Sequence, residues 1–305
     1  MPHHLDRPGR PDVAIVELPV SDRAAGPYGI TAGPDGALWF TLVHHGRIGR
    51  ITPDGAHTSY QLAPASGGPS VITAGPDGAL WFTEFRGHRI GRITTGGDIA
   101  PFPLPTPEAG PFGIAAGPDG ALWFTEAGAG RIGRITTDGH ITGFPLPVTG
   151  AFPSAIAAGP DDRMWFTMNQ ANAIGAIADD GVVTVHPLPA PDSAPVGITA
   201  GTDGALWFTE IGAGRIGRIT PDGTIGEFAL PDPMARPHAI TAGPDGNCWF
   251  TEWGTGRVGR ITPDGRIDEY DLPTPSSEPH GIAPGPDGAI WTALEIGTIA
   301  RLTAQ

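Results

Sequence analysis

Hydrophobic positions along the chain recur in a fixed frame of 42 residues. Seven tryptophans hold the same place in that frame, namely Trp39, Trp81, Trp123, Trp165, Trp207, Trp249 and Trp291. An eighth, Trp253, lies outside the register. A constant period of this length is typical of a solenoid, a propeller or a repeat array.

Each repeat contains four short apolar runs rich in β-branched or aromatic residues. In idealised form they read GITA, ALWFT, RIGRIT and IxEFxL, and PDG separates the first from the second and the third from the fourth. PDG favours a tight turn because Pro sets φ at the first turn position and Gly supplies a positive φ. No run has the length or the 3.6-residue period of a helix. The pattern predicts an all-β, seven-bladed β-propeller with four antiparallel strands in each blade.

The two ends of the chain complement each other. The last repeat ends with a third strand, TIARLT (298–303), and lacks its fourth. The segment AIVELP (14–19) resembles the missing strand, so we predict that the N-terminal strand closes the last blade and removes two open sheet edges. The expected organisation is a disordered N-terminal tail at 1–12 and one propeller domain at 13–305.

Composition narrows the function classes. Gly and Pro number 47 and 35, and their periodic placement assigns them to turns rather than to disorder. A formal net charge of −14 without an Arg cluster argues against nucleic acid and anionic membranes. The single Cys248 excludes an internal disulfide framework, and no segment has the pattern of a signal peptide or a membrane span. We expect a cytoplasmic protein, because one cysteine fits a reducing compartment and no such segment is present. We expect a monomer, because a closed propeller has no open edge that demands a partner.

The two faces of the predicted ring differ in how much the sequence varies from repeat to repeat. Strands A to D of a blade run outward from the central axis, so both PDG turns lie on one face, called here the turn face. The B-to-C loops and the D-to-A connections lie on the opposite face, called here the loop face. Variation among repeats concentrates on the loop face, where binding and catalysis are therefore expected.

Three columns of equivalent positions reach the loop face near the axis. The residue before the first Pro of each repeat is Gly26, Gly68, Gly110, Phe152, Ala194, Arg236 and Glu278. The residue after that Pro is Tyr28, Ser70, Phe112, Ser154, Val196, His238 and His280. The fourth residue after the tryptophan is Val43, Phe85, Ala127, Asn169, Ile211, Trp253 and Glu295.

Four exceptional residues in these columns are predicted to converge on the rim of the central channel. Glu278 and Glu295 are each the only carboxylate in their column, and His238 and His280 are the only two imidazoles in theirs. The remaining histidines show no such grouping. The Glu that follows WFT recurs in four repeats, at Glu84, Glu126, Glu210 and Glu252, and is therefore interpreted as structural.

Two carboxylates beside an imidazole suit a hard divalent cation better than they suit Zn²⁺, which would prefer more His or Cys. A bound Mg²⁺ can polarise a carbonyl, and a neutral His can accept the proton of the adjacent C–H. The sequence has no G-x-S-x-G motif and no phosphate-binding glycine loop. Metal-assisted proton abstraction followed by loss of a leaving group therefore fits better than acyl-enzyme hydrolysis.

The pair RPHAITAG…WFTEW and EPHGI…IW…E, set in seven blades of 42 residues, resembles the virginiamycin B (streptogramin B) lyase family over residues 13–303. The resemblance implies a lyase that linearises a cyclic depsipeptide antibiotic at its ester by elimination, with Mg²⁺ as cofactor. It implies His280 as the proton acceptor, Glu278 and Glu295 as the metal ligands, and His238 as a substrate contact.

Tyr28 and Trp253 are expected to contact the substrate because they stand in the rim columns, although each could instead pack between blades. Two alternatives to the lyase remain open at this point. One is a metal-dependent propeller hydrolase that acts on a lactone, and the other is a non-catalytic binding propeller of the NHL type.

Overall fold

The computed structural model of this protein describes residues 11–304. In that range 28 β-strands form seven four-stranded antiparallel sheets, and the only helix is a 3-10 turn at Ala65–Gly67. The expected tail at 1–12 lies outside the described residues except for Pro11 and Asp12. No helix within 11–304 is long and apolar enough to cross a membrane.

The strands follow the predicted order. β1 is Val13–Pro19, and blade 1 consists of β2 (Pro27–Ala32), β3 (Leu38–Leu42), β4 (Arg47–Ile51) and β5 (His57–Gln61). Blade 2 consists of β6 (Pro69–Ala74), β7 (Leu80–Glu84), β8 (Arg89–Ile93) and β9 (Ile99–Pro103). Blade 3 consists of β10 (Pro111–Ala116), β11 (Leu122–Glu126), β12 (Arg131–Ile135) and β13 (Ile141–Pro145). Blade 4 consists of β14 (Pro153–Ala158), β15 (Met164–Met168), β16 (Ala173–Ile177) and β17 (Val183–Pro187).

The remaining blades repeat the same plan. Blade 5 consists of β18 (Pro195–Ala200), β19 (Leu206–Glu210), β20 (Arg215–Ile219) and β21 (Ile225–Ala229). Blade 6 consists of β22 (Pro237–Ala242), β23 (Cys248–Glu252), β24 (Arg257–Ile261) and β25 (Ile267–Asp271). Blade 7 consists of β26 (Pro279–Pro284), β27 (Ile290–Leu294), β28 (Thr298–Ala304) and β1.

The ring closes through the N-terminal strand, as predicted. β1 pairs with β28 in an antiparallel register that runs from Val13 opposite Ala304 to Pro19 opposite Thr298. The first and last strands of the chain therefore share one sheet, and the two edges that would otherwise be open are paired.

On the turn face, one three-residue unit explains why the repeat keeps its Asp, Trp and Arg. In blade 1, Asp35 accepts hydrogen bonds from Trp39 Nε1 at 3.0 Å and from Arg50 Nε at 2.7 Å. Burial opposes ionisation of Asp35, but these bonds outweigh it and lower the pKa of the carboxyl. The guanidinium of Arg50 also lies 6.0 Å from the ring centroid of Trp39, within cation–π range.

Blade 4 keeps the same unit by a different route. Its third strand carries Ala176 where the other blades carry the arginine. Arg163, from the turn itself, donates instead to Asp161 at 2.6 Å and lies 4.9 Å from the ring centroid of Trp165. The unit is therefore maintained although the residue that supplies the cation has moved.

The repeated tryptophans form the contacts between blades. Trp39 of blade 1 belongs to a buried cluster with Leu80 and Phe82 of blade 2, and Trp291 of blade 7 to one with Phe40 of blade 1. Both tryptophans are fully buried. The constant spacing of 42 residues thus reflects one apolar contact repeated around the ring.

A threonine also ties each blade to the next, with one exception. In blade 1, Thr41 Oγ accepts from Gly29 N and donates to the carbonyl of Ser70 in blade 2, both at 2.8 Å. Blades 2 to 6 repeat this bond with their equivalent threonines at positions 83, 125, 167, 209 and 251. In blade 7 the equivalent position is Ala293, so the seam between blade 7 and blade 1 has no such threonine.

Candidate active site

The residue before each first Pro adopts a left-handed backbone in all seven blades. The φ values lie between 48° and 65° at Gly26, Gly68, Gly110, Phe152, Ala194, Arg236 and Glu278. Glycine adopts this conformation freely, whereas other residues bear a strain of order 1 kcal/mol or more. Arg236 and Glu278 therefore occupy positions where their side chains strain the backbone. The left-handed backbone also explains why three blades have glycine here, which the sequence columns did not reveal.

His280 and Glu295 form the centre of the site. His280 Nε2 lies 2.7 Å from Glu295 Oε2, and the imidazole residue is only 7% exposed. The carbonyl of His280 accepts the bond from Thr251 of blade 6, which fixes the backbone of β26 against its neighbour. Glu295 stands in a B-to-C loop one residue shorter than that of blade 6, and its N–H donates to the carbonyl of Glu278 at 3.2 Å.

This arrangement defines which nitrogen of His280 is free. A carboxylate only accepts hydrogen bonds, so Nε2 of His280 is the protonated nitrogen facing Glu295. Nδ1 then carries the lone pair, and it is buried without a hydrogen-bond partner. The imidazole thus has one buried basic nitrogen without a partner.

The two carboxylates are close enough to influence each other. The hydrogen bond from His280 is the main reason that the pKa of Glu295 falls to about 2. Burial, the nearby charge of Glu295 and a hydrogen bond with it raise the pKa of Glu278. Glu295 is therefore firmly ionised. Ionisation of Glu278 is opposed, because it would place a second negative charge beside the first.

Tyr28 and His238 complete a cluster of rings around His280. The hydroxyl of Tyr28 lies 3.2 Å from His238 Nε2, and ring centroids lie 4.4 Å apart for Tyr28 and His280 and 4.9 Å apart for His238 and His280. Burial lowers the pKa of His238 to about 3 and raises the pKa of Tyr28 well above its usual range. Both side chains are therefore uncharged at neutral pH, and the lowered pKa makes His238 a weak base.

A cavity of about 160 Å³ lies beside this cluster in the central channel. Tyr28, Phe112 and His238 contribute polar and aromatic edges, and isoleucines of the innermost strands provide the apolar wall. His280 adjoins the cavity through its ring contacts with Tyr28 and His238 but does not line it. An apolar cavity with a few convergent polar groups is the usual form of a small-molecule site.

The structure does not bring Trp253 into the cluster. The guanidinium of Arg236 lies 5.5 Å from its ring centroid, and none of the ring contacts among the described residues joins Trp253 to His238 or His280. Arg236 and Trp253 stand in blade 6 in the same columns as Glu278 and Glu295 in blade 7. Equivalent positions thus touch in both blades but with different chemistry.

One contact of the site was not marked by the sequence columns. His44, in the B-to-C loop of blade 1, places Nε2 3.2 Å from Glu295 Oε1. Its position on the loop face is visible in the sequence, but its pairing with a residue 251 positions away depends on how blades 7 and 1 meet.

The four glutamates after WFT are buried away from this cluster, and their environments differ. Glu84 forms a two-point ion pair with Arg89, at 2.6 and 2.8 Å. Burial raises the pKa of Glu252 to about 8, with a further contribution from nearby Glu269. Arg257, the counterpart of Arg89, is instead hydrogen-bonded to Asp271 at 2.7 Å.

Within residues 11–304, no group of three or more His, Cys, Asp or Glu side chains is arranged to hold a metal ion. Glu278 and Glu295 provide two carboxylates, and any further ligands of a bound cation would have to come from water or substrate.

Fold and site together define a seven-bladed propeller with a histidine–carboxylate cluster at the mouth of its central channel. The model of the virginiamycin B lyase family matches residues 13–302. The chain therefore belongs to the virginiamycin B lyase family.

Solved structures agree over almost the whole chain. A streptogramin B lyase structure is 43% identical with a TM-score of 0.93, covering 96% of this chain and 98% of that chain. Virginiamycin B lyase from Staphylococcus aureus is 46% identical with a TM-score of 0.93, covering 96% and 100%. A catalytically inactive histidine-to-alanine variant of the Staphylococcus protein has been solved with quinupristin.

Curated relatives match over shorter segments. Virginiamycin B lyase of Saccharopolyspora erythraea is 65% identical over 50 residues, which are 16% of this chain and 17% of that protein. Virginiamycin B lyase of Streptomyces coelicolor is 61% identical over 41 residues, 13% and 14% of the two chains. The matched segments thus span less than a fifth of either relative.

Proposed function

We propose that this protein is a carbon–oxygen lyase that linearises cyclic depsipeptides of the streptogramin B class at their ester bond, and thereby inactivates them as antibiotics. The observation that carries the proposal is the unpartnered Nδ1 of His280, whose Nε2 is held by Glu295 at 2.7 Å. Family membership and the Staphylococcus relative solved with quinupristin support this substrate class.

The chemistry follows from a base beside an apolar cavity. His280 takes a proton from the α carbon of a substrate carbonyl. The neighbouring β carbon carries the ester oxygen. The electron pair of the broken C–H bond forms a C=C bond to the β carbon, and the C–O bond to the ester oxygen breaks. The ester leaves as a carboxylate, so the linear product is an isomer of the cyclic substrate and no water is added.

The other residues of the cluster orient the base and the substrate. Glu295 fixes the tautomer of His280 and stabilises the imidazolium that forms when the proton arrives. Tyr28 and His238, both uncharged, offer hydrogen bonds to substrate carbonyls. The aliphatic wall of the cavity limits the access of water, which favours elimination over hydrolysis.

Glu278 and Glu295 are the residues that would hold Mg²⁺. The donor set fits this ion, because Mg²⁺ commonly uses only one or two protein carboxylates. A cation would also offset the repulsion from Glu295 that opposes ionisation of Glu278. When bound, Mg²⁺ supplies Lewis-acid polarisation of a substrate carbonyl, which acidifies the adjacent C–H.

The proposal is tested by incubating the protein with quinupristin and measuring the product by mass spectrometry, once with Mg²⁺ and once with excess EDTA. We expect a linear product of unchanged mass that forms with Mg²⁺ and is strongly reduced by the chelator. A product heavier by one water would instead identify a lactone hydrolase. Absence of any product under both conditions would leave a binding propeller without this activity.

A further inference from the structure

We propose that His44 is a positioning residue that holds the carboxylate of Glu295 in the orientation required by His280. Besides its hydrogen bond with Glu278, Glu295 has a separate histidine at each oxygen: Oε2 faces His280 Nε2 at 2.7 Å, and Oε1 faces His44 Nε2 at 3.2 Å. A carboxylate held at both oxygens cannot rotate about its last bond without breaking one of them. The catalytic importance of this bond rests on the function proposed above.

The backbone around His44 is arranged to place its imidazole. The N–H of His44 donates to the carbonyl of Ala25 at 3.1 Å, which fixes the start of the loop. The ring lies over Gly26, where an added Cβ would come within 2.5 Å of His44 Cδ2. Gly26 therefore serves two needs, a left-handed φ of 63° and the space that the imidazole occupies.

The location of the bond makes it more significant than an ordinary surface contact. Glu295 belongs to blade 7 and His44 to blade 1, so the bond crosses the one seam that has Ala293 in place of the linking threonine. Glu295 also stands in a loop that is one residue shorter than that of blade 6. His44 thus provides a side-chain tie between these two blades at the site itself.

Partners of this kind have measurable effects in other enzymes. Hydrogen bonds to carboxylates that hold a metal, or that orient a histidine, typically change affinity or activity by about 10- to 100-fold when they are removed. His44 is 48% exposed, so its removal should not open the core.

The experiment compares His44→Ala, His44→Gln and His45→Ala. His45 is the adjacent residue and contacts Asp22 at 3.7 Å rather than Glu295, so it controls for loop perturbation. With quinupristin, we expect His44→Ala to lower kcat by about 10- to 100-fold with a smaller change in KM. His44→Gln should recover part of that loss because its amide can donate to Oε1, and His45→Ala should stay close to the unmodified protein.

Crystal structures of the unmodified protein and of His44→Ala give a measurement that does not depend on activity. We expect Glu295 Oε2 to remain beside His280 in the first and to rotate away in the second. A Glu295 carboxylate that keeps its place in His44→Ala would overturn the proposal, even if kcat fell, because His44 would then act on the substrate directly. If the unmodified protein does not convert quinupristin, the proposed function fails, while the two structures still decide the role of His44.

Discussion

The turn face and the loop face of this ring are built from the same repeats, but they treat their polar groups differently. On the turn face each Asp binds both a Trp and an Arg, and blade 4 preserves the unit even though its arginine comes from elsewhere. On the loop face, Nδ1 of His238, Nδ1 of His280 and Nε1 of Trp253 are buried without partners. The satisfied groups of the turn face stabilise the ring, whereas these three groups, in the columns nearest the axis, keep hydrogen-bonding capacity for a ligand.

Backbone strain follows the same division. The left-handed positions of the turn face are mainly glycines that follow Asp, whereas the loop face holds Arg236 and Glu278 at φ values near 50°. Strain of this kind persists where a side chain is needed more than an easy backbone. The comparison therefore predicts that substitutions on the two faces affect different quantities, activity on one and stability on the other.

The largest expected effect is on the loop face. His280→Ala removes the proton acceptor and should lower kcat for quinupristin by about 10²- to 10⁴-fold, the usual contribution of a general base. The protein should remain folded, because the substitution keeps the carbonyl of His280 that accepts from Thr251 and leaves the apolar clusters between blades intact. Product formation by mass spectrometry and thermal unfolding by circular dichroism provide the two measurements. Activity that survives in a folded His280→Ala protein would remove this residue from the mechanism.

The opposite result is expected on the turn face. Asp119→Ala leaves Trp123 Nε1 and the guanidinium of Arg134 without their acceptor, which now lies at 3.1 and 2.6 Å. The free energy of unfolding should fall by about 3 kcal/mol, because two donors lose their partner. Activity per folded molecule should remain unchanged. If kcat fell instead with no loss of stability, the division of labour between the faces would be wrong.

The sequence predicts the turn face and the ring more completely than it predicts the site. The seven blades, the PDG turns and the closure by the N-terminal strand follow from local periodicity, and the structure confirms them. The columns also mark Glu278, His280 and Glu295 as exceptional, because repeats supply their own reference.

The contacts that complete the cluster depend on geometry between blades, which periodicity does not encode. Tyr28 meets His238 across 210 positions of sequence, and His44 meets Glu295 across 251. Trp253 stands in the same column as Glu295, yet its ring packs against Arg236. Arg236 holds in blade 6 the position that Glu278 holds in blade 7, so the neighbouring residue differs and so does the contact. A column therefore gives the place of a residue, and only the neighbouring blade gives its contacts.

Two glutamates at the same position of the repeat test how strongly the neighbourhood controls a shared residue. Glu84→Gln should lower the free energy of unfolding by about 3 kcal/mol, since it breaks the buried two-point pair with Arg89. Glu252→Gln should have the opposite sign at pH 9. The pKa of Glu252 in the folded state is raised to about 8, so the stability it contributes is present at low pH and is lost as pH rises through that value.

Urea unfolding of the three proteins at pH 6 and pH 9 makes this comparison. The unmodified protein should lose more stability between the two pH values than Glu252→Gln does, by about 3 kcal/mol. Equal losses in both proteins would show that Glu252 is ionised throughout and that its environment resembles that of Glu84.

His238 predicts a pH dependence of the opposite direction. Its pKa is lowered to about 3 in the folded protein, whereas an unfolded histidine titrates near 6.5, so the unfolded chain binds the proton first as pH falls. Between pH 7 and pH 5 this group should lower the free energy of unfolding by about 2 kcal/mol. Urea unfolding of the unmodified protein and of His238→Asn gives the effect as a difference between their pH slopes. Identical slopes would mean that His238 is as accessible to protons in the ring as in the unfolded chain.

The smallest expected effect concerns the seam that the site occupies. Ala293→Thr would place a hydroxyl where the other six blades have one, and an added Cβ at Gly281 would meet the carbonyl of Tyr28 at 2.5 Å, much as one at Gly29 would meet that of Ser70. The carbonyl of Tyr28 therefore lies where a threonine could reach it. One added hydrogen bond should raise the free energy of unfolding by about 1 kcal/mol. Thr125→Ala, which removes the equivalent bond between blades 3 and 4, should lower it by a similar amount. A change of kcat in Ala293→Thr but not in Thr125→Ala would mean that the site requires movement between blades 7 and 1. Equal kcat values would mean that the missing threonine affects stability alone.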